Sequence, residues 1–293
     1  GRLTQEAEAV TSLYFDSTTG LLNADGEALT DDSLVPAYAM ESARAVDQDG
    51  NGDATSYGDS PLALVAANTD VGGGVFGFGC PFVTDDADFS YGNDEFLLNV
   101  WASAMGEGTV LWDEGHSQYY GLSQFADFQS YAEDEGFTVE TTTDIEADLE
   151  GNAGVVITSP TGAFTEAEKT ALSAFVEAGG SVFLHSQSDY DNFDETDNLN
   201  DIASSLEAGF RFNDAQIVDE ENNAGPSYIL TTTNLTTSEF SDYFEARRGI
   251  GAGPKFEVGQ EYEATVESVD DGDTVTVSVG EGTEEIRILG VDS

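Results

Sequence analysis

Residues 155–185 read VVITSPTGAFTEAEKTALSAFVEAGGSVFLH, and the fold class follows from them. Val155-Val156-Ile157-Thr158 is an apolar, β-branched run of strand length, closed by the turn residues Ser159-Pro160-Thr161-Gly162. Thr165 and Glu168 have the spacing of a capping box. Ala171, Leu172, Phe175 and Val176 then recur at helical spacing until Gly179-Gly180 stops the helix. Ser181-Val182-Phe183-Leu184-His185 is another buried strand. Strand, helix and strand in this order imply a βαβ unit, hence an α/β fold with a parallel sheet and helices on its faces.

The alternation extends outward. Thr109 to Trp112 reads as a strand, Ser123 to Asp134 as an amphipathic helix, Phe137 to Glu140 as a strand, and Leu199 to Leu206 as a further helix. Upstream, Leu62 to Ala67 and Val75 to Phe78 form a hairpin across Gly72-Gly73-Gly74. A helix over Asn93 to Met105 follows, with Phe96, Leu97, Val100 and Trp101 on one face. A hairpin and one helix are too little for an independent core. Residues 1–106 are therefore expected to pack on the following sheet, or to be half of a domain that begins upstream of Gly1. Residues 107–248 form the α/β domain and 249–256 a glycine-rich linker. Residues 257–293 form a small β-domain whose three antiparallel strands are Tyr262 to Val266, Thr274 to Val279 and Glu285 to Leu289.

Composition sets the solvent. The chain carries 58 Asp plus Glu against 8 Lys plus Arg, a net charge of -50. A compact body of this size exposes roughly 12,000 Å², so about one net negative charge falls on every 240 Å². Molar salt shortens the screening length to roughly 3 Å and relieves that repulsion. With 39% hydrophobic residues, 18 Phe and 11 Tyr, the chain can bury a core, which separates it from acidic disordered chains. It reads as a salt-adapted protein of an extreme halophile. No apolar run is long enough to span a membrane. The lone Cys80 excludes an internal disulfide, and Asn234-Leu235-Thr236 is a glycosylation sequon. Cys80 leaves the redox compartment open, and a start at Gly1 means either a removed leader or a piece of something longer; the sequon leads to an expected extracellular or cell-surface location.

Three constellations carry candidate chemistry. Asp47-Gln48-Asp49-Gly50-Asn51-Gly52-Asp53 puts oxygen ligands Asp47, Asp49, Asn51 and Asp53 at the first, third, fifth and seventh positions of a calcium loop, with the turn glycine sixth. Gly58 stands where the twelfth-position Glu should be. Glu114 and His116, after one strand, and His185, at the end of another, form a candidate ligand set; the alternative is that both histidines are structural. Asp189, Asp191, Asp194, Glu195 and Asp197 read as a solvated acidic surface with helix-start charge.

Two stretches resemble known families. Val110-Leu111-Trp112-Asp113-Glu114-Gly115-His116, Phe164-Thr165-Glu166-Ala167-Glu168 and Phe175-Val176-Glu177-Ala178-Gly179-Gly180-Ser181-Val182 resemble the flavodoxin-like, glutamine-amidotransferase-like domains of secreted halophilic archaeal proteins. That resemblance implies the scaffold without the glutaminase reaction, because no Cys follows Cys80. Ala264-Thr265-Val266, Val269-Asp270-Asp271-Gly272-Asp273-Thr274-Val275 and Ile286-Arg287-Ile288-Leu289-Gly290-Val291-Asp292-Ser293 are similar to the first strands of staphylococcal-nuclease-like thermonucleases, an OB-type barrel. By that resemblance Asp273 and Asp292 bind Ca²⁺ and Arg287 contacts phosphate. The family's Pro-Glu and second Arg would lie beyond Ser293. The expectation is therefore a piece of a Ca²⁺-dependent extracellular nuclease, inactive as this chain, with nucleic acid as partner of the tail. The rival is a structural or adhesive surface protein that self-associates.

Overall fold

The computed structural model describes residues 7–191 and 194–250 and three strands beyond them, Thr265–Val269, Thr274–Val279 and Gly282–Arg287. The N-terminal part holds β1 (Leu13–Asp16), β2 (Leu21–Asn23), β3 (Ala37–Tyr38), β4 (Arg44–Val46), β5 (Ala63–Asn68), β6 (Val75–Phe78) and α1 (Asn93–Met105). β7 (Thr109–Asp113), α2 (Ala126–Asp134), β8 (Thr138–Thr142), α3 (Ile145–Asp148), β9 (Gly154–Thr158), α4 (Glu166–Glu177), β10 (Ser181–His185) and α5 (Thr196–Ser205) follow in alternation. β11 (Phe210–Phe212), β12 (Gln216–Val218) and β13 (Ile229–Thr232) complete the body, and the three later strands are β14, β15 and β16.

The main sheet runs β11-β2-β5-β6-β10-β9-β7-β8, with β3 also on β5. Its centre, β6-β10-β9-β7-β8, is parallel throughout, and β5, β2 and β11 extend it antiparallel beyond β6. The sheet therefore crosses the boundary expected at 106/107, because Val182 to His185 pair with Val75 to Phe78. The expected mixed α/β class with a parallel centre is what the chain adopts.

Strand pleating sorts the core onto two faces. Phe76, Trp112, Val156 and Phe183 share one cluster with Phe96, Leu97 and Trp101 of α1 and Phe128 of α2. Leu111, Val155, Val182 and Leu184 share the other with Leu172 and Phe175 of α4 and Leu199 and Ile202 of α5. Each fully buried side chain of this kind contributes about 1.5–3 kcal/mol. The capping box on α4 forms as its spacing predicts: Thr165 Oγ1 accepts from Glu168 N, and Thr165 N donates to Glu168 Oε2 at 2.7 Å. The helix expected over Ser123 to Asp134 is broken at Phe125, whose buried ring packs 4.4 Å from Trp112. A 3₁₀ turn at Leu122–Gln124 precedes α2.

Two further pairings join distant parts of the chain. β1 pairs with β13, and β4 with β12 so that Val46 faces Gln216. The second brings residues just after β4 against residues just before β12. β14, β15 and β16 form an antiparallel sheet of their own, its third strand beginning at Gly282 where the alternation suggested Glu285.

Candidate metal centre

The loop leaving β4 is shaped by its own carboxylates. Gly50 N and Gly52 N donate to the two oxygens of Asp47 at 2.9 and 3.0 Å, Asn51 N to Asp49 Oδ1 and Asp53 N to Asn51 Oδ1. Gly50 and Gly52 have φ of 76° and 92°, values that disfavour a Cβ, so the spacing requires glycine there. Ligand oxygens of Asp47, Asp49 and Asp53 lie within 4.8 Å of one another. The loop is thus curled around a point where hard oxygen donors converge, the donor chemistry that Ca²⁺ favours.

Other segments hold the loop in place. Asp189, in the loop after β10, accepts from Gln48 N and Asp49 N through Oδ2 at 2.9 and 3.2 Å, and its own N donates to Ala215 O. Asn213 exchanges two bonds with Thr55 on the far side of the loop, both at 2.9 Å. Asp189, Asp194 and Asp214 form a second group with ligand oxygens within 4.8 Å of one another. Asp189 is 0% and Asp194 2% exposed, which corrects the reading of a solvated surface for these two, whereas Asp191 and Asp197 are exposed and Asp197 supplies the helix-start charge of α5. The run follows directly on the buried strand β10, so its first carboxylate is folded inward against the β12 and β4 loops. Asp214 is pushed up to about 7, first by burial and then by the neighbouring carboxylates Asp194, Asp53 and Asp189.

Glu114, His116 and His185 are not brought into one ligand set. His116 sits between two carboxylates, Nδ1 2.8 Å from Asp113 Oδ2 and Nε2 3.1 Å from Glu168 Oε1, with its ring stacked 3.6 Å from Phe164. Burial works against the charged ring, but Asp113 and Glu168 outweigh it and hold His116 above its ordinary value. With both nitrogens engaged, the ring is a bridge between β7 and α4. Glu114 accepts from Leu122 N at 2.9 Å. His185 is fully buried and stacked on Phe78, and Nδ1 donates to Pro81 O. Burial lowers it to about 4, so it is neutral.

A cavity of about 430 Å³ opens at the carboxyl ends of β6 and β1, lined by Tyr14, Asp16, Phe82, Asp85, Asp86 and Tyr120 among others. Cys80 also lines it but is only 1% exposed, and burial raises its thiol far above the ordinary range. Asn234 is exposed, with Nδ2 donating to Ala39 O. Arg287 closes β16 in register with Thr274, whereas Asp273 and Asp292 lie outside the described residues. The Asp189–Asp194–Asp214 group was missed from sequence. Its signal was an aspartate four residues beyond a buried parallel strand, where α/β folds place ligand groups.

The mixed α/β sheet thus brings carboxylates from three segments of the chain together beside one strand end. The chain belongs to the family described as Domain of unknown function (DUF4350), which matches residues 123–286. Among solved structures, IMPa from Pseudomonas aeruginosa in complex with an O-glycopeptide is similar at TM-score 0.45 and 12% identity, over 79% of this chain and 23% of that one. The IMPa metallopeptidase from the same organism is similar at TM-score 0.42 and 10% identity, over 83% and 23%. The chain thus spans less than a quarter of the length of these structures. Curated protein sequences yield no match.

Proposed function

We propose that this chain is a calcium-binding, non-catalytic module of a secreted, salt-adapted halophilic protein. The observation that carries this reading is the Asp47–Asp53 loop, in which Asp47 and Asp49 organise the backbone and an oxygen each of Asp47, Asp49 and Asp53 lie within 4.8 Å of one another. The five parallel strands support a flavodoxin-like reading of the body, in which β6 takes the outer place that a last strand would occupy. A calcium ion there would fasten the loop after β4 onto the β4–β12 pair, neutralising charge where the chain carries much of it.

The body binds rather than hydrolyses in this reading. The acidic lining of the 430 Å³ cavity, with Asp16, Asp85 and Asp86, repels phosphate and suits a neutral polar or cationic ligand. Nucleic acid, if the parent molecule is a nuclease, is then the business of the tail. There Asp273 and Asp292 would hold Ca²⁺ and Arg287 would meet phosphate, in an OB-type domain of which β14 to β16 are the start.

Thermal unfolding of the full chain in molar KCl tests the module. Added Ca²⁺ raises Tm and a chelator reverses it, whereas an unchanged Tm at millimolar Ca²⁺ sinks the reading. DNA and RNA cleavage by the parent protein in the same buffer tests the tail, and chelator-sensitive cleavage is expected. Chelator-insensitive cleavage, or none by the parent, removes the nuclease part.

A further inference from the structure

We propose that Asp189, Asp194 and Asp214 bind a second hard divalent cation, Ca²⁺ by preference, directly beside the Asp47–Asp53 loop. The three carboxylates come from the loop after β10 and the turn before β12, and one oxygen of each lies within 4.8 Å of the others. Asp189 is completely buried and Asp194 nearly so. None of the ion pairs among the described residues reaches any of the three. Two buried carboxylates and a half-buried third, gathered without a cationic partner, are costly unless protonated or bound to a cation.

The oxygens are divided in a way that points to a ligand. Asp189 uses Oδ2 for Gln48 N and Asp49 N, and Asp214 uses Oδ2 for the Thr196 hydroxyl. The same hydroxyl bonds Asp194 Oδ2. Asp189 Oδ1 and Asp214 Oδ1 are buried and have no hydrogen-bond partner among the described residues. Asp189 Oδ2 is thus held by two backbone donors while Asp194 and Asp214 share one threonine hydroxyl, an outer hydrogen-bonding shell of the kind that orients metal ligands. A buried carboxylate oxygen without a partner is a costly exception in a folded chain, and a bound ion accounts for two of them at once.

The donor set selects the ion. All three ligands are carboxylate oxygens, with no imidazole or thiolate in the group, which favours Ca²⁺ over Zn²⁺ or Cu²⁺. Three protein ligands leave positions for water, so Ca²⁺ with its 6–8 oxygens is accommodated. The carboxylates that interact by charge with this group are, besides the three ligands themselves, Asp49 and Asp53 of the β4 loop and Glu195 beside Asp194. An ion here would tie that loop to the start of α5 and to β12, segments separated by some 140 residues in the chain.

This site stands independently of the loop reading, and one experiment separates them. Ca²⁺ binding to the full chain is measured by isothermal titration in 2 M KCl at pH 8, for wild type, D214N and the double variant D49N/D53N, with far-ultraviolet circular dichroism confirming the fold. Two ions on wild type, one of them weakened at least about tenfold in D214N and the other in D49N/D53N, are expected. A single ion lost in D214N but kept in D49N/D53N upholds this site and refutes the loop. A single ion lost only in D49N/D53N overturns this site. A single ion lost in both variants replaces the second site by one shared ion, and no binding overturns both. If D214N does not fold, D194N is titrated in its place and the same outcomes apply.

Discussion

Replacing His116 with Gln tests the bridge between β7 and α4. The ring carries a proton on each nitrogen toward Asp113 and Glu168, and Asp113 is 0% exposed. Glu168 loses little, because the capping box still occupies its other oxygen. Asp113 keeps Gly115 N and the Gln118 amide but loses its charged partner. Removing one partner of a buried charge pair costs about 3 kcal/mol at the lower end, and the lost stacking on Phe164 adds roughly 0.5–1.5 kcal/mol. At about 2–4 °C per kcal/mol for a chain of this size, Tm should fall by roughly 7–18 °C at pH 6. His116 is raised on folding, so its contribution is full below pH 6.5 and is lost as pH rises through the folded value. The gap between wild type and H116Q should therefore narrow from pH 6 toward pH 9, no more steeply than about 1.4 kcal/mol per pH unit for one proton. Calorimetric melts in molar KCl across that range measure it. A gap that is constant with pH, or below 1 °C throughout, would refute the charged bridge.

Asp214 has a folded value of about 7, so in calcium-free buffer its favourable contribution holds below pH 4 and disappears as pH rises through 7. Calcium displaces that proton. Affinity at the Asp189–Asp194–Asp214 group should rise from pH 5.5 to 8 and then level off, with proton release on binding seen by titration in buffers of different ionisation enthalpy; a flat profile counts against it. Dropping KCl from 2 M to 0.1 M at constant Ca²⁺ should lower Tm, since screening lengthens from roughly 2 to 10 Å around a net charge of -50; a higher Tm at low salt would contradict salt adaptation. Cys80 should resist iodoacetamide in the folded protein and react fully in denaturant, as mass spectrometry would show; rapid native labelling would contradict its burial.

The central elements were legible because their signals are local. The Thr165–Glu168 box, the Gly179-Gly180 stop and the apolar run of β10 sit within 31 residues and need no distant partner. β1 to β4 were not legible: they are two to four residues long, and β1 and β4 are paired with β13 and β12 far along the chain. The Asp47–Asp53 loop shows the same divide. Its spacing announces Asp47, Asp49, Asn51 and Asp53, whereas Asp189 reaches the loop only through the β4–β12 pairing. In a chain with 58 acidic residues, nothing local separates a buried aspartate from its solvated neighbours. The two histidines looked alike in sequence, but His116 is held charged by two carboxylates and His185 neutral by burial.

Crystals of the full chain grown in high salt with Ca²⁺ would show most directly whether the loop is a metal site. Anomalous scattering should place a calcium peak at about 2.3–2.6 Å from carboxylate oxygens of Asp47, Asp49 and Asp53. A well-ordered loop with only water among those oxygens would contradict the account.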